Sequence, residues 1–182
     1  MKPNSTLILE ILKIFIWICT FLLCIGLSMM IFLFFTTIFG IDIGSMKEMK
    51  ISLNIANQKI KDIQSLEKGK LLFVLAYTIL LGSLELILLI YVIKILKKFN
   101  LNHSFSIEIY FLIEKIAKLA LVIGCTSVIF SFIYDFITGK SSISLDFSNE
   151  NIRFFLFAGV VYIIAQVYKK AIDLQEENDL TV

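Results

Sequence analysis

Apolar residues gather into four long blocks along this chain, separated by short charged stretches. Between Lys13 and Asp42 stand 28 residues without a charge, and between Lys70 and Lys94 stand 23 with one, Glu85. A third uncharged block runs from Leu119 to Tyr134 and a fourth from Phe154 to Tyr168. A bilayer core is about 30 Å thick and a helix rises about 1.5 Å per residue, so roughly 20 apolar residues cross it. The first two blocks reach that length alone. The last two reach it with their flanks, Ile109–Lys118 and Ser148–Arg153. The pattern predicts an all-α membrane protein, a bundle of four transmembrane helices with spans near residues 12–40, 71–95, 110–134 and 152–172. A short acidic tail, 173–182, follows the last span. The first block is longer than the bilayer is thick, which calls for tilt or for extension into the interface. That length, with no Ala-x-Ala site after Phe39, reads as a retained span rather than a cleaved signal peptide.

Two stretches between the blocks have a different texture. Met49–Ile55 and Ile143–Phe147 alternate apolar and polar with period two, the pattern of a half-buried strand. The pair predicts a small β-hairpin or sheet capping the extracytoplasmic face. An interfacial helix over Ile51–Ile63 is the alternative, and the polar run Asn57–Gly69 is expected to re-enter helix before the second span.

Composition narrows the class without changing the architecture. At 182 residues, 58% hydrophobic and 18% charged, the chain carries too much apolar surface for one soluble core. One proline and eight glycines leave little for a flexible linker, so a single membrane domain is expected over residues 1–182. A net charge of +2 gives no reason to expect direct nucleic-acid binding. Cys19, Cys24 and Cys125 fall inside predicted spans without metal-ligand spacing and read as buried small apolar side chains. Lysines abut two span ends, Lys94, Lys97 and Lys98 after the second and Lys169 and Lys170 after the fourth. Asp42 and Asp135 sit at opposite ends. By the positive-inside tendency both termini are expected in the cytoplasm.

Helices in lipid associate through small residues and polar groups rather than through hydrophobicity. Thr20, Cys24 and Ser28 recur at helical spacing on the first span, and Thr78, Gly82 and Glu85 on the second. Ala117, Ala120, Gly124, Ser127 and Ser131 do so on the third, and Ala158, Tyr162, Ala165 and Gln166 on the fourth. These rows are expected to meet at the bundle centre, with Phe and Ile facing lipid. An ionisable side chain at mid-span costs about 2.5–3.5 kcal/mol on insertion scales, so Glu85 is expected to face protein. Gln166, Tyr162 and Lys118 are its candidate partners. The site is either a proton or cation site or a structural hydrogen bond.

Catalysis has no visible apparatus. His103 is the one histidine, and no phosphate-binding Gly-rich loop, His-Glu-x-x-His or Gly-x-Ser-x-Gly motif occurs. No enzyme activity, cofactor or metal is expected.

Two further features lie on the expected inner side. Ser106 is a credible helix cap for the third span, with Phe105 before it and Glu108 in the first helical turn. The fourth helix is expected to run to about Glu177, with Lys169 and Lys170 reaching to the headgroups. The last residues, Gln175, Glu176, Glu177, Asp179, Leu180, Thr181 and Val182, form either a ligand segment for another protein or a solubilising tail.

The four-span plan, the Phe105-Ser106-x-Glu108 start of the third span and the ending Leu174-Gln-Glu-Glu-Asn-Asp-Leu-Thr-Val182 resemble the bacterial membrane-protein family catalogued as domain of unknown function 2975. Members usually carry a proline at the position of Ser104, and often Glu and Gly where this chain has Gln166 and Ala171. The resemblance implies an inner-membrane protein without established activity, often encoded beside a small helix-turn-helix regulator. With the tail's composition, that gene company leads to the expectation of a non-enzymatic sensor or tether, with Phe105, Ser106, Glu108 and the tail as partner-binding residues. The alternatives are a small ion-coupled transporter using Glu85, which four spans could build only as a homo-oligomer, and a protein protecting its own membrane from a toxin or bacteriocin.

Overall fold

Long runs of Leu, Ile and Phe with their backbone polar groups satisfied internally can only be helices in lipid, and four such helices make up the architecture. The computed structural model describes residues 3–40, 53–55, 58–60, 68–98, 106–138 and 150–179. Helix α1 spans Pro3–Phe39, α2 Lys68–Lys98, α3 Ile107–Thr138 and α4 Glu150–Asp179. All four are long and apolar enough to cross a membrane, so the chain is a multi-pass membrane protein in its architecture. α2, α3 and α4 overrun their predicted spans at both ends and α1 at its start, because charged residues beyond the apolar block continue the same backbone. α1 alone stops one residue short: Gly40 adopts φ +64°, the left-handed conformation that closes a helix C-terminus at least cost for glycine.

Strands β1 (Leu53–Ile55) and β2 (Gln58–Ile60) lie between α1 and α2 and pair antiparallel, Leu53 opposite Ile60 and Ile55 opposite Gln58. The predicted extracytoplasmic cap is not supported. The ladder is local to one connection, three residues a side, and a hairpin of that size has little stability of its own. Its expected partner, Ile143–Phe147, lies outside the described residues. Extended backbone at 53–55 and 58–60 also displaces the alternative of an interfacial helix over Ile51–Ile63; most of the polar run expected to re-enter helix, residues 61–67, lies outside the described residues.

The helices run up-down-up-down, and each packs on its neighbour in sequence: α1 on α2, α2 on α3, α3 on α4. Burial rises from the first helix to the third. The most apolar stretch of α1 has no buried residue, whereas α3 carries Ile116, Ala117, Ala120, Ile123 and Phe130, each at most 5% exposed. Two rows at seven-residue spacing organise α3. Tyr110, Ala117 and Gly124 form one; Tyr110 clusters with Ala165 and Ile172 of α4, and Gly124 approaches the Phe155 ring. Ala158, Ala165 and Ile172, also spaced by seven and all buried, answer it from α4. Small side chains on both rows let the two backbones come close, the packing that substitutes for a hydrophobic driving force in lipid. Ile116, Ile123 and Phe130 form the second row. Phe130 stacks on Phe73 and Tyr77 of α2, with ring centroids 5.4 and 3.6 Å away. A phenylalanine therefore sits at the core, not at the lipid face expected for that residue type.

The small-residue rows divide. The α3 row is buried as its spacing predicts. On α1, Cys24 and Ser28 are exposed and only Thr20 is half-buried. The Thr20 hydroxyl donates to the Ile16 carbonyl at 2.7 Å and the Ser28 hydroxyl to the Ile25 carbonyl at 2.8 Å, so neither needs a neighbouring helix. α1 instead meets α2 through Leu27, whose side chain fills the notch left by Gly82. Among the cysteines Cys19 is half-buried, while Cys24 and Cys125 are exposed, which corrects the expectation that all three are buried.

Candidate functional site

Antiparallel packing brings the start of α1, the end of α2, the start of α3 and the end of α4 to one end of the molecule. Lysines and aromatics from all four helices meet there. The Lys97 ammonium lies 5.5 Å from the Trp17 ring centre, joining α2 to α1. That of Lys115 lies 5.9 Å from the Tyr91 ring, joining α3 to α2. That of Lys169 lies 5.9 Å from the Tyr110 ring, joining α4 to α3. Every consecutive helix pair is thus crossed by one cation–π contact, each of a kind that contributes about 0.5–1 kcal/mol when exposed. Tyrosine and tryptophan favour the membrane interface, where the ring body is apolar and its edge is wet. Long lysine stems lie along the same zone with the charge outward.

The α3–α4 junction lies within this rim. Ser106 caps α3: its carbonyl accepts from the amides of Ile109 and Tyr110. Its own amide donates to the Tyr168 hydroxyl of α4 at 3.1 Å. Tyr110, Ala165 and Ile172 pack directly behind that bond, with Ile113 and Tyr168 against them. Glu108 pairs with Lys98 across the connection between α2 and α3, both side chains more than half exposed. The α4 backbone continues to Asp179, two residues past its predicted end, with Asp173, Glu176 and Glu177 exposed and Gln175 half-buried.

Glu85 occupies a different place. Its helix exposes Ala76, Leu80, Ser83, Ile87, Ile90 and Lys94, a continuous outward row. Two residues on from Ser83, at about 100° per residue, Glu85 points away from that row toward the bundle. It is half-buried and engaged with other groups. It is an electrostatic neighbour of Tyr77, whose hydroxyl is sealed from solvent with no hydrogen bond of acceptable geometry although Ser127 of α3 stands beside it.

The expected partners of Glu85 are elsewhere. Gln166 and Tyr162 point outward from α4, which packs on α3 and not extensively on α2. The inward row on α4 follows Ala158, Val161, Ala165, Tyr168 and Ile172, and Tyr162 and Gln166 fall one position off it. Lys118 pairs at 2.7 Å with Glu114, one turn back on its own helix, the arrangement that i,i+4 spacing favours. The structure ties Ser106 to α4 through Tyr168, while Glu108 pairs with Lys98 of α2. Phe105, Leu180, Thr181 and Val182 lie outside the described residues.

Sequence reasoning missed Trp17, Tyr91, Tyr110 and Tyr168 at the rim, and Tyr77 as the neighbour of both Glu85 and Ser127. The signal for the rim was present, since each of the four aromatics stands near a lysine-bearing span end. No family model, curated protein or solved structure matches this chain. Among the described residues no three His, Cys, Asp or Glu side chains come together as a metal site would need.

Proposed function

We propose that this membrane protein is a non-enzymatic tether or sensor that holds a small helix-turn-helix regulator at the cytoplasmic face of a bacterial inner membrane. The reading rests on the Ser106–Tyr168 hydrogen bond. It makes the start of α3 and the end of α4 one surface, so that movement within the membrane reaches the segment a partner would grip. The partner-binding residues are Ser106, Glu108, Gln175, Glu176, Glu177 and Asp179, extended by Phe105 and Leu180–Val182. Charge supports the choice of partner. The DNA-contacting face of such a regulator is basic, and Asp173, Glu176 and Glu177 offer the opposite sign along exposed helix. Termini in the cytoplasm agree with the lysine rim at that end, and the resemblance to the family of domain of unknown function 2975 points the same way. The deciding experiment is affinity purification from native membranes, comparing the intact chain with one ending at Leu174. A small DNA-binding protein recovered only with the intact chain supports the tether; the same partner on both removes it.

A second reading draws on Glu85, inward-facing and beside the Tyr77 hydroxyl. In it the protein is an ion-coupled carrier that encloses its pathway as a homo-oligomer. Cation or proton flux into vesicles, unchanged by Glu85→Gln, would remove that reading.

A further inference from the structure

Tyr91 is approached by two ammonium groups from different helices. Lys94, one turn further along α2, lies 5.6 Å from its ring centre, and Lys115 of α3 lies 5.9 Å from it. Two like charges on one ring favour an anion in their neighbourhood. Two other lysines of these helices have their anions: Lys98 of α2 has Glu108, and Lys118 of α3 has Glu114. Among the described residues no carboxylate lies within ion-pair distance of Lys94 or Lys115. Both side chains are exposed.

We propose that Lys94, Lys115 and Tyr91 seat the phosphodiester headgroup of one anionic phospholipid in the groove between α2 and α3. The membrane-ward surface fits the rest of that molecule. Ile87 and Ile90 on α2, and Val122 one heptad beyond Lys115 on α3, are exposed at 39, 37 and 44% and lie where acyl chains descend from the headgroup. A free phosphate gains nothing from those side chains; a lipid buries them. Basic pockets between helices at a membrane surface are the known setting for such headgroups. Tyr91 holds the two ammoniums in place by cation–π attraction and keeps their stems from folding back along their own helices. The site is independent of the regulator reading, because it faces lipid and uses none of the tail.

The test uses the full chain purified in neutral detergent, with native mass spectrometry counting bound lipid. Phosphatidylglycerol is titrated against phosphatidylcholine, with inorganic phosphate as competitor. The expected result is one retained phosphatidylglycerol per chain, held in preference to phosphatidylcholine and indifferent to millimolar phosphate. Lys94→Gln with Lys115→Gln should weaken retention about thirtyfold, at the usual contribution per lysine near an anionic headgroup. Lys169→Gln with Lys170→Gln removes the same charge from the same end and should leave retention unchanged. Thermal melts in the detergent alone confirm that both doubles fold. Equal losses in the two doubles would mean diffuse attraction and overturn the site. Indifference to lipid charge, or displacement by phosphate, would overturn it as well.

Discussion

The backbone amide of Ser106 donates to the hydroxyl of Tyr168 across 62 residues of sequence, at 3.1 Å. A capping residue is normally tied only to its own helix. Here the first residue ahead of α3 is fastened to the last part of α4, and the buried Tyr110–Ala165–Ile172 cluster fixes the distance behind it.

Tyr168→Phe keeps the ring in the cluster and removes only the acceptor. The expected cost is about 1 kcal/mol, the usual net value of one hydrogen bond. Amide hydrogen exchange should locate it at Ser106, with little change along α1. Uniform loss of protection over all four helices would contradict the local account.

At the α1–α2 contact, a Cβ on Gly82 would stand 2.7 Å from the Leu27 Cδ2 atom. Gly82→Ala should therefore destabilise, modestly, because the obstructing atom is the end of a flexible side chain. Leu27→Ala should also destabilise by leaving the notch unfilled. Combined, the two should cost less than their sum, since alanine at 82 fills part of the space that Leu27 vacates. Additive melting shifts would mean that the pair is not in contact.

Ala165 is fully buried between α3 and α4. Ala165→Leu should cost about 1–3 kcal/mol by forcing the helices apart. Gln166→Leu, one residue on and pointing outward, should change stability by less than about 0.5 kcal/mol. If Gln166→Leu proved the more damaging, the rotation assigned to α4 would be wrong.

Tyr77→Phe carries an unusual sign. Its hydroxyl is enclosed without a properly placed partner, and an unsatisfied buried polar group costs about 1–3 kcal/mol. Removing the oxygen should leave the protein as stable or more so, with the stack on Phe130 intact. A lower melting temperature would show that Ser127 or Glu85 bonds the hydroxyl in the membrane.

The exposed Lys98–Glu108 pair should matter little to folding, since surface pairs gain little against water and salt. Glu108→Gln should leave the melting temperature unchanged. On the tether reading it should still weaken capture of the regulator, and the same purification from membranes reads both.

How much of this was legible in the sequence depends on the kind of signal. Long apolar stretches with few charges, the last two completed by their flanks, located all four helices, because the cost of charge in lipid leaves few other ways to place Lys and Asp. The α3 row was legible because Ala117, Ala120 and Gly124 have no side-chain alternative to close packing. Rotation of the other helices was not. Thr20 and Ser28 satisfy their hydroxyls on their own turn, so polarity does not oblige them to face a neighbour. Tyr162 and Gln166 share the alanines' side of α4 only loosely, and a shift of one position, about 100°, turns them outward. For Lys118 the partner was one turn away at Glu114, a local pairing nearer than any across the bundle. The Ser106–Tyr168 bond could not be read at all, because nothing local marks which hydroxyl reaches a cap.

The gradient of burial, from none in the apolar stretch of α1 to its maximum in α3, has a meaning in time. A nascent chain can lodge α1 in lipid as a self-sufficient rod that awaits nothing from the rest. α3 is different, since its Tyr110–Ala117–Gly124 row packs on α4, which leaves the ribosome after it. Synthesis interrupted before residue 150 leaves that seam bare, and a chain in this condition is the one that membrane quality control can recognise.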